Sequence, residues 1–277
     1  MKHTTKNLLK FVLPNRFMQA LKAFRQQGVT LNEEFIIPLD VDTDFDDDFL
    51  NHVTGVNIEI SNTCNLAHLH SECPCSWYTK KFVLDKAIVF KVIDSLASVK
   101  FNGKMMFSRY NEPMLNKHRL YEFVEYTNCK IPNAKIQLLT NGTLLNQNDI
   151  VQLEKFKIHT LAITAYDKNT YNRLAQIKTK LPVRIFKGKL DDRENIYTRK
   201  PLNCIKPCYA TIRDVTINSQ GQVSLCCLDW DNRETFGDLH INSLQEILNS
   251  PRFLETHKKL THGERFLEIC KRCDWQR

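Results

Sequence analysis

The fold is set by one stretch of sequence, VNIEISNTC, at residues 56–64. Its first five residues alternate between apolar and polar side chains, which predicts a β-strand. The strand leads into Cys64, and Cys73 and Cys75 follow closely. Ligands bind at the carboxyl ends of strands in parallel α/β folds. This strand and its three cysteines therefore predict a metal or ligand site.

Further stretches of strand length follow at regular spacing, at 104–107, 135–139, 160–164 and 183–186. Segments with helical periodicity separate them, around 85–98, 118–127, 148–156 and 170–177. Strands that alternate with helices in this way are joined by right-handed crossovers into a parallel sheet. The sequence therefore predicts an α/β sheet or barrel.

The first three cysteines cannot close a four-ligand metal site by themselves. A zinc ion would need a fourth ligand, for which His68 and His70 are candidates. A [4Fe–4S] cluster held by three thiolates instead keeps one iron open. An open iron can bind the amino and carboxylate groups of S-adenosylmethionine and pass an electron into its sulfonium group.

A second set of cysteines occupies the last quarter of the chain. Residues 214–225 read as two short strands around Gly221, which predicts a tight hairpin. A helical pattern follows over 243–259, and Pro251 divides it into two pieces. The cysteines that flank these elements are Cys208, Cys226, Cys270 and Cys273. Four thiolates suit either a structural zinc ion or a [4Fe–4S] cluster, and their spacing alone leaves both open.

Four stretches resemble the ordered motifs of radical S-adenosylmethionine enzymes. They are IEISNTCNL (58–66), FSRYNEPML (107–115), LTNGTLL (139–145) and LAITAYD (161–167). The second is similar to the family's Gly-Gly-Glu-Pro motif, with Tyr110 and Asn111 in the two glycine places. The resemblance implies that S-adenosylmethionine is bound by Ser108, Tyr110, Asn111, Glu112, Thr140, Asn141 and Thr164.

The cysteine loop departs from the usual Cys-x3-Cys-x2-Cys spacing of that family. His68 and Ser71 stand where the second and third cysteines are expected. The simplest account is an insertion over residues 68–72, after which Cys73 and Cys75 join Cys64 as the three cluster ligands. A lost or rebuilt cluster is the alternative.

The C-terminal region is similar to the SPASM/twitch extension of the same enzymes. The similarity covers 208–230, 236–239, 243–248 and 270–273. It implies an auxiliary [4Fe–4S] cluster whose ligands are Cys208, Cys226, Cys270 and Cys273. The sequence ends shortly after Cys273, which fits the short twitch form with one auxiliary cluster. The implied fold is a partial (β/α)6 TIM-like barrel with a C-terminal twitch extension made of a β-hairpin and a helix.

The whole pattern resembles the 2-deoxy-scyllo-inosamine dehydrogenase group of twitch enzymes. The resemblance implies an oxidoreductase that uses a 5′-deoxyadenosyl radical on a sugar-like or cyclitol-like substrate and receives electrons from a flavodoxin or ferredoxin. Epimerisation of such a substrate and modification of a ribosomal peptide are alternatives within the family. A zinc-binding protein and a degenerate scaffold with the same fold are alternatives from other classes.

Composition agrees with a globular protein that is not exported. The chain has 277 residues, of which 42% are hydrophobic and 25% charged. No apolar run approaches the roughly 20 residues of a membrane helix, and we recognise no secretory signal. We therefore expect a cytoplasmic protein without a transmembrane segment, whose ten cysteines stay reduced. No nucleic-acid-binding motif is present, so we expect no nucleic acid partner.

Charge is distributed unevenly along the chain. Residues 1–25 have six basic and no acidic residues, and residues 26–50 have eight acidic and no basic ones. Because the whole chain carries +8, residues 51–277 carry +10, which suits an acidic electron donor or an anionic substrate. We divide the chain into a helical and acidic extension (1–50), a radical-enzyme barrel (51–200) and a SPASM/twitch domain (201–277).

Three cysteines have no predicted ligand role. Cys129 is expected to be an ordinary buried thiol, because cysteine usually packs as a small apolar residue. Cys227 follows a predicted ligand directly, and Cys204 is a spare or alternative ligand, or a hydrogen donor in an epimerase.

Overall fold

The structure is a computed structural model that describes residues 45, 47–71, 73–189, 196–202 and 206–273. The helices predicted within 5–25 and most of the acidic segment that follows lie outside the described residues. Residues 44–277 form one compact unit. The predicted division at residues 50 and 200 stays a prediction.

The described residues contain one open sheet of eight strands. The strands are β1 (Gly55–Ile58), β2 (Lys104–Met106), β3 (Lys135–Thr140), β4 (Thr160–Ala165), β5 (Val183–Lys187), β6 (Val215–Ile217), β7 (Gln222–Ser224) and β8 (Thr235–Asp238). Their order across the sheet is β5-β4-β3-β2-β1-β6-β7-β8. The first six strands of the chain run parallel, and β7 and β8 pair antiparallel to their neighbours.

Helices connect the parallel strands, as the periodicity predicts. The helices are α1 (Pro74–Trp77), α2 (Lys86–Ser98), α3 (Lys117–Lys130), α4 (Gln147–Leu153), α5 (Lys168–Ala175), α6 (Ala210–Arg213), α7 (Leu244–Leu248), α8 (Pro251–Thr261) and α9 (Glu268–Lys271). Short 3-10 turns lie at Phe49–His52, Ala67–Leu69, Pro113–Asn116 and Ile196–Thr198. Pro251 begins α8, so the predicted break in the last long helical pattern is present.

The C-terminal hairpin continues the same sheet on the side of β1. Strand β6 pairs parallel with β1, for example Val56 with Val215, and the tip of the hairpin turns at Gly221. Gly221 has a φ of +81°, a conformation that residues with a Cβ atom rarely adopt. The first strand of the chain thus lies between the parallel strands and the twitch-like hairpin.

The buried apolar side chains form a large core and a small one. The large core packs α2, α3 and the start of the described chain against the sheet, and it includes Phe49, whose ring meets that of Phe253 at 5.0 Å. Burial of such a side chain stabilises the fold by about 2–3 kcal/mol. The small core surrounds the C-terminal cysteines and contains Ile196, Leu225, Leu260, Ile269 and Cys270.

Candidate active site

The three cysteines after β1 lie together. The Sγ atoms of Cys73 and Cys75 are 3.3 Å apart, and the Cys75 thiol also donates a hydrogen bond to Cys64. Two further donors point at the Cys64 sulfur, the backbone N–H of Leu66 at 3.4 Å and the amide of Asn141 at 3.8 Å. The altered loop spacing therefore still brings the three predicted ligands to one place.

These contacts shift the pKa values of Cys64 and Cys75 in opposite directions. The hydrogen bond from Cys75 lowers the pKa of Cys64. Cys75 is the donor in its contacts with Cys64 and Cys73, and together with burial this raises the pKa of Cys75. Cys64 therefore becomes a thiolate, the form that binds metals, more easily than Cys75. Hydrogen-bond donors around a sulfur are also a feature of iron–sulfur sites, so the donor set fits a cluster.

The inserted segment places its two histidines differently. The backbone forms a short turn at Ala67–Leu69, and His68 is exposed to solvent. His70 is buried, and its ring meets the ring of Tyr166 edge-on at 4.4 Å between centroids. Of the two histidines considered as metal ligands, His70 is therefore the one that faces the site.

A cleft opens beside these cysteines at the carboxyl ends of β2, β3 and β4. It is lined by Cys64 and Cys73, by His70 and Tyr166, and by all seven predicted S-adenosylmethionine ligands, which are Ser108, Tyr110, Asn111, Glu112, Thr140, Asn141 and Thr164. These residues come from four separate stretches of the chain. The structure thus assembles the predicted set in one cleft, and the role of each residue toward the cofactor stays a prediction.

Glu112 ties the β2 and β3 loops of this cleft together. One carboxylate oxygen accepts hydrogen bonds from the N–H of Met114 at 2.9 Å and the hydroxyl of Thr140 at 2.7 Å. The other accepts the N–H of Asn141 at 2.7 Å. Burial raises the pKa of Glu112, and these hydrogen bonds act in the opposite direction. Its first role is therefore to hold the cleft walls in register.

Side chains replace the two glycines of the family's motif with specific contacts. The carbonyl oxygen of the Asn111 side chain accepts the N–H of Arg109 at 3.0 Å, which closes the turn. The Tyr110 hydroxyl reaches across the cleft wall and donates to the backbone carbonyl of Cys227. Arg109, which sequence reasoning did not select, also lines the cleft. The sequence signal that could have identified Arg109 is its position, because it is a long cationic residue directly before a motif that is usually glycine-rich.

The C-terminal cysteines form a second site of different character. Cys270 belongs to the small apolar core, and Cys208, Cys226 and Cys273 pack against that core. The N–H of Cys208 donates to the carbonyl of Leu260 on α8 at 2.8 Å. Chain segments far apart in sequence thus bring the four predicted auxiliary ligands to one apolar region.

Burial makes two of these thiols, Cys226 and Cys270, hard to ionise without a metal. Burial raises the pKa of Cys226, and the neighbouring Cys227, Cys270 and Cys208 add to the effect. Burial likewise raises the pKa of Cys270 to about 12. Several thiolates are stable in such a place only when a metal centre neutralises them. This donor set fits a fully ligated cluster and offers no open position.

Among the described residues, no group of three or more His, Cys, Asp or Glu side chains is arranged to hold a single metal ion. A structural zinc ion requires four ligands converging at about 2.0–2.3 Å. The described cysteines are grouped together but do not converge at these distances.

The three cysteines without a predicted ligand role are Cys129, Cys204 and Cys227. Cys129 is exposed, so the prediction of a buried thiol was wrong. The buried face of α3 runs through Leu120, Phe123, Val124 and Thr127, and Cys129 lies off that face. Cys227 accepts the Tyr110 hydrogen bond through its backbone, and Cys204 lies outside the described residues.

Comparison with known proteins identifies the C-terminal region and the fold. The SPASM iron-sulfur cluster-binding domain matches residues 208–274. An S-adenosyl-L-methionine-dependent 2-deoxy-scyllo-inosamine dehydrogenase from Niallia circulans is 25% identical over 236 residues, which cover 79% of this chain and 92% of that protein.

Solved structures give the same picture. The crystal structure of BtrN in complex with AdoMet and 2-DOIA superimposes with a TM-score of 0.68 at 21% identity, over 80% of this chain and 93% of that one. Native anSMEcpe with bound AdoMet and the Cp18Cys peptide gives a TM-score of 0.56 at 14% identity, over 80% and 86% of the two chains. These matches confirm the predicted fold class and, with the SPASM match, the predicted iron–sulfur domain and the family resemblance. No helix among the described residues is long and apolar enough to cross a membrane.

Proposed function

We propose that this chain, a radical S-adenosylmethionine enzyme with a C-terminal SPASM/twitch domain, oxidises a secondary alcohol of a cyclitol-like or sugar-like small molecule to a ketone. One observation carries the proposal: Arg109 on the cleft wall donates a hydrogen bond to the backbone carbonyl of Cys226 at 3.1 Å. The open cysteine site, the cleft and the closed cysteine site are therefore neighbours. This arrangement supports a reaction that needs both a radical and a one-electron acceptor.

The residues that would hold the cofactors follow from the two sites. Cys64, Cys73 and Cys75 would hold the first [4Fe–4S] cluster beside the cleft, and Cys208, Cys226, Cys270 and Cys273 would hold the auxiliary one. When bound, S-adenosylmethionine and the two clusters supply a 5′-deoxyadenosyl radical and an electron acceptor, so that the carbinol loses a hydrogen atom from carbon, an electron, and a proton from oxygen.

The chain's own residues position the cofactor in this proposal. The turn at residues 108–111 offers backbone and side-chain polar groups at the cleft, and Glu112 fixes it against Asn141. Thr164 and Tyr166 supply hydroxyl groups on the β4 side of the cleft, where a polyhydroxylated substrate would find hydrogen-bond partners. The name of the Niallia circulans relative supports an aminocyclitol as the first substrate to try.

We further propose a flavodoxin- or ferredoxin-type electron donor and a cytoplasmic location. The charge of +10 on residues 51–277 supports an acidic protein donor. The predicted use of seven cysteines as thiolate ligands supports a reducing compartment.

The test is an anaerobic incubation of the reconstituted protein with S-adenosylmethionine, dithionite and 2-deoxy-scyllo-inosamine labelled with deuterium at its carbinol carbons. We expect about eight irons per chain, one 5′-deoxyadenosine per ketone, and transfer of deuterium into the 5′-deoxyadenosine. A colourless protein, or no 5′-deoxyadenosine under any condition, contradicts the proposal. A product that keeps all its hydroxyl groups and carries solvent hydrogen in place of a carbinol deuterium would instead establish epimerisation.

A further inference from the structure

Arg109 extends from the first site into the loop that carries Cys226. Its Nη2 atom donates to the backbone carbonyls of Cys226 at 3.1 Å and Asp229 at 2.5 Å. Its Nη1 atom donates to the side-chain oxygen of Asn232 at 2.6 Å. The two positions are separated by more than a hundred residues, so this contact is a product of the tertiary fold.

Neighbouring aromatic side chains complete the attachment of this loop. The Tyr110 hydroxyl donates to the carbonyl of Cys227, and the Tyr78 hydroxyl donates to the carbonyl of Trp230 at 2.9 Å. The guanidinium of Arg109 also lies over the Tyr110 ring, 5.1 Å from its centroid. The loop backbone from Cys226 to Trp230 is therefore held by side chains from the barrel side.

The acceptors of the Arg109 hydrogen bonds within the described part of the chain are neutral. The carboxylate with the strongest electrostatic effect on it is that of Glu59, a buried residue at the end of β1. Burial raises the pKa of Glu59, and the charge of Arg109 acts to lower it.

Other charged groups near the loop are engaged elsewhere. The buried carboxylate of Asp229 accepts the backbone N–H groups of Arg233 at 3.0 Å and Glu234 at 2.9 Å. The Arg233 side chain pairs with Asp231 at the surface. Arg109 thus contacts the carbonyl of the predicted ligand Cys226, and Arg265, which donates to the carbonyls of Lys206 and Pro207, is a second cation near this site.

We propose that Arg109 sets the reduction potential of the auxiliary cluster, holding it more positive than the same cluster would be without the guanidinium. This inference rests on the proposed function, in which that cluster takes an electron from the substrate. Reduction adds a negative charge to the cluster, and a nearby fixed positive charge stabilises the reduced form. Arg109 is a positioning residue here and not a catalytic one, because it contacts the loop that carries a predicted ligand and does not contact the reacting atoms.

The experiment is an EPR-monitored redox titration of the anaerobically reconstituted full-length protein without substrate. Cys64, Cys73 and Cys75 are replaced by alanine in every sample, so that the signal belongs to the auxiliary cluster. For Arg109→Gln we expect the ratio of reduced to oxidised cluster at the parent midpoint to fall about tenfold, equivalent to a shift of about 59 mV for one electron. Arg109→Lys keeps the charge and should recover most of the shift.

Two further variants separate charge from structure. Asn232→Asp is nearly isosteric and places a carboxylate against Nη1, so it neutralises Arg109 without removing the clamp, and we expect a negative shift again. Tyr110→Phe removes one loop contact but no charge, and we expect a midpoint close to the parent. Equal midpoints in all variants, or equal shifts in Arg109→Gln and Arg109→Lys, overturn the inference. A protein without any auxiliary cluster signal would instead contradict the proposed function.

Discussion

Hydrogen bonds surround the first cysteine site, whereas apolar side chains surround the second. Cys64 receives N–H groups from Leu66 and Asn141, and it lines an open cleft. Cys270 and its three partners lie in a small apolar core. A cluster in the first place would have an open position facing the cleft, while a cluster in the second would have four thiolate ligands beside an apolar core. In the proposed function, this difference would separate cofactor cleavage at the first site from electron acceptance at the second.

The largest expected effect tests the open site. Replacing Cys64, Cys73 or Cys75 singly by alanine should reduce 5′-deoxyadenosine formation to the protein-free background, because an incomplete ligand set cannot hold the cluster that cleaves S-adenosylmethionine. Iron should fall from about eight to about four per chain, since the second site stays intact. Product chromatography and iron analysis measure both.

Cys129→Ala is the matched control, because this thiol is exposed and lies away from both sites. It should leave iron content and 5′-deoxyadenosine unchanged. Full cofactor cleavage in the Cys75→Ala protein would mean that the loop uses another third ligand, and His70 would then be the next residue to replace.

The second prediction tests the closed site. Cys270→Ala should uncouple the reaction: 5′-deoxyadenosine still forms, but the ketone does not, because the one-electron acceptor is lost. The variant should also unfold at a lower temperature than the Cys64→Ala protein, since the metal centre organises the small core around Leu260. A loss of about 3 kcal/mol corresponds to a Tm about 6–12 °C lower. Ketone formation at the parent rate would exclude a role of this site in the oxidation.

A smaller effect is expected at the hydrogen-bonded wall of the open site. In Glu112→Gln the new amide group must face a donor, either the N–H of Asn141 or the pair formed by Thr140 and Met114. We expect a loss of about 1–3 kcal/mol in the free energy of unfolding and weaker binding of S-adenosylmethionine. Thermal unfolding and calorimetric titration measure the two effects. Glu125→Gln, on the exposed side of α3, is the control and should change neither.

The features of the fold that depend on local sequence pattern could be predicted from the sequence. The first five of the six parallel strands follow from apolar periodicity, and the break at Pro251 follows from proline chemistry. The seven cleft residues were found because motifs of a known family recur in order. Predicting that these seven residues lie together required no knowledge of this chain's own tertiary contacts.

The contacts that local pattern could not reveal are long-range. The pairing of β6 with β1 and the reach of Arg109 to Cys226 join segments more than a hundred residues apart. Cys129 shows the reverse failure: a rule about cysteine in general gave burial, but its position around α3 decided the matter. Which face of the last helical turn is buried depends on how the helix packs. A rule based on residue type alone therefore predicts the burial of a residue such as Cys129 wrongly.

The smallest expected effect concerns how the two regions respond to pH. Asp149 joins α4 to α3, because it accepts Lys117 at 2.8 Å and the Tyr121 hydroxyl at 3.1 Å and closes the cap of α4. Burial acts to raise its pKa, but the hydrogen bonds from Lys117, the Asn146 N–H and Tyr121 outweigh that effect, so the pKa of Asp149 is lowered.

A lowered pKa in the folded chain means that Asp149 contributes stability above its unfolded pKa of about 3.9 and loses it as the pH falls through the folded value. Asp149→Asn should therefore cost about 1–2 kcal/mol at every pH between 5 and 8, and the difference from the parent should vanish in stronger acid. Urea unfolding of the holoenzyme covers the neutral range, and the iron-free chain extends it to pH 3. Leu260→Ala in the small core is the contrasting variant, since loss of apolar packing costs about 2–5 kcal/mol at any pH. If both differences shrank together in acid, the polar and apolar regions would not be held by the different forces that their contacts indicate.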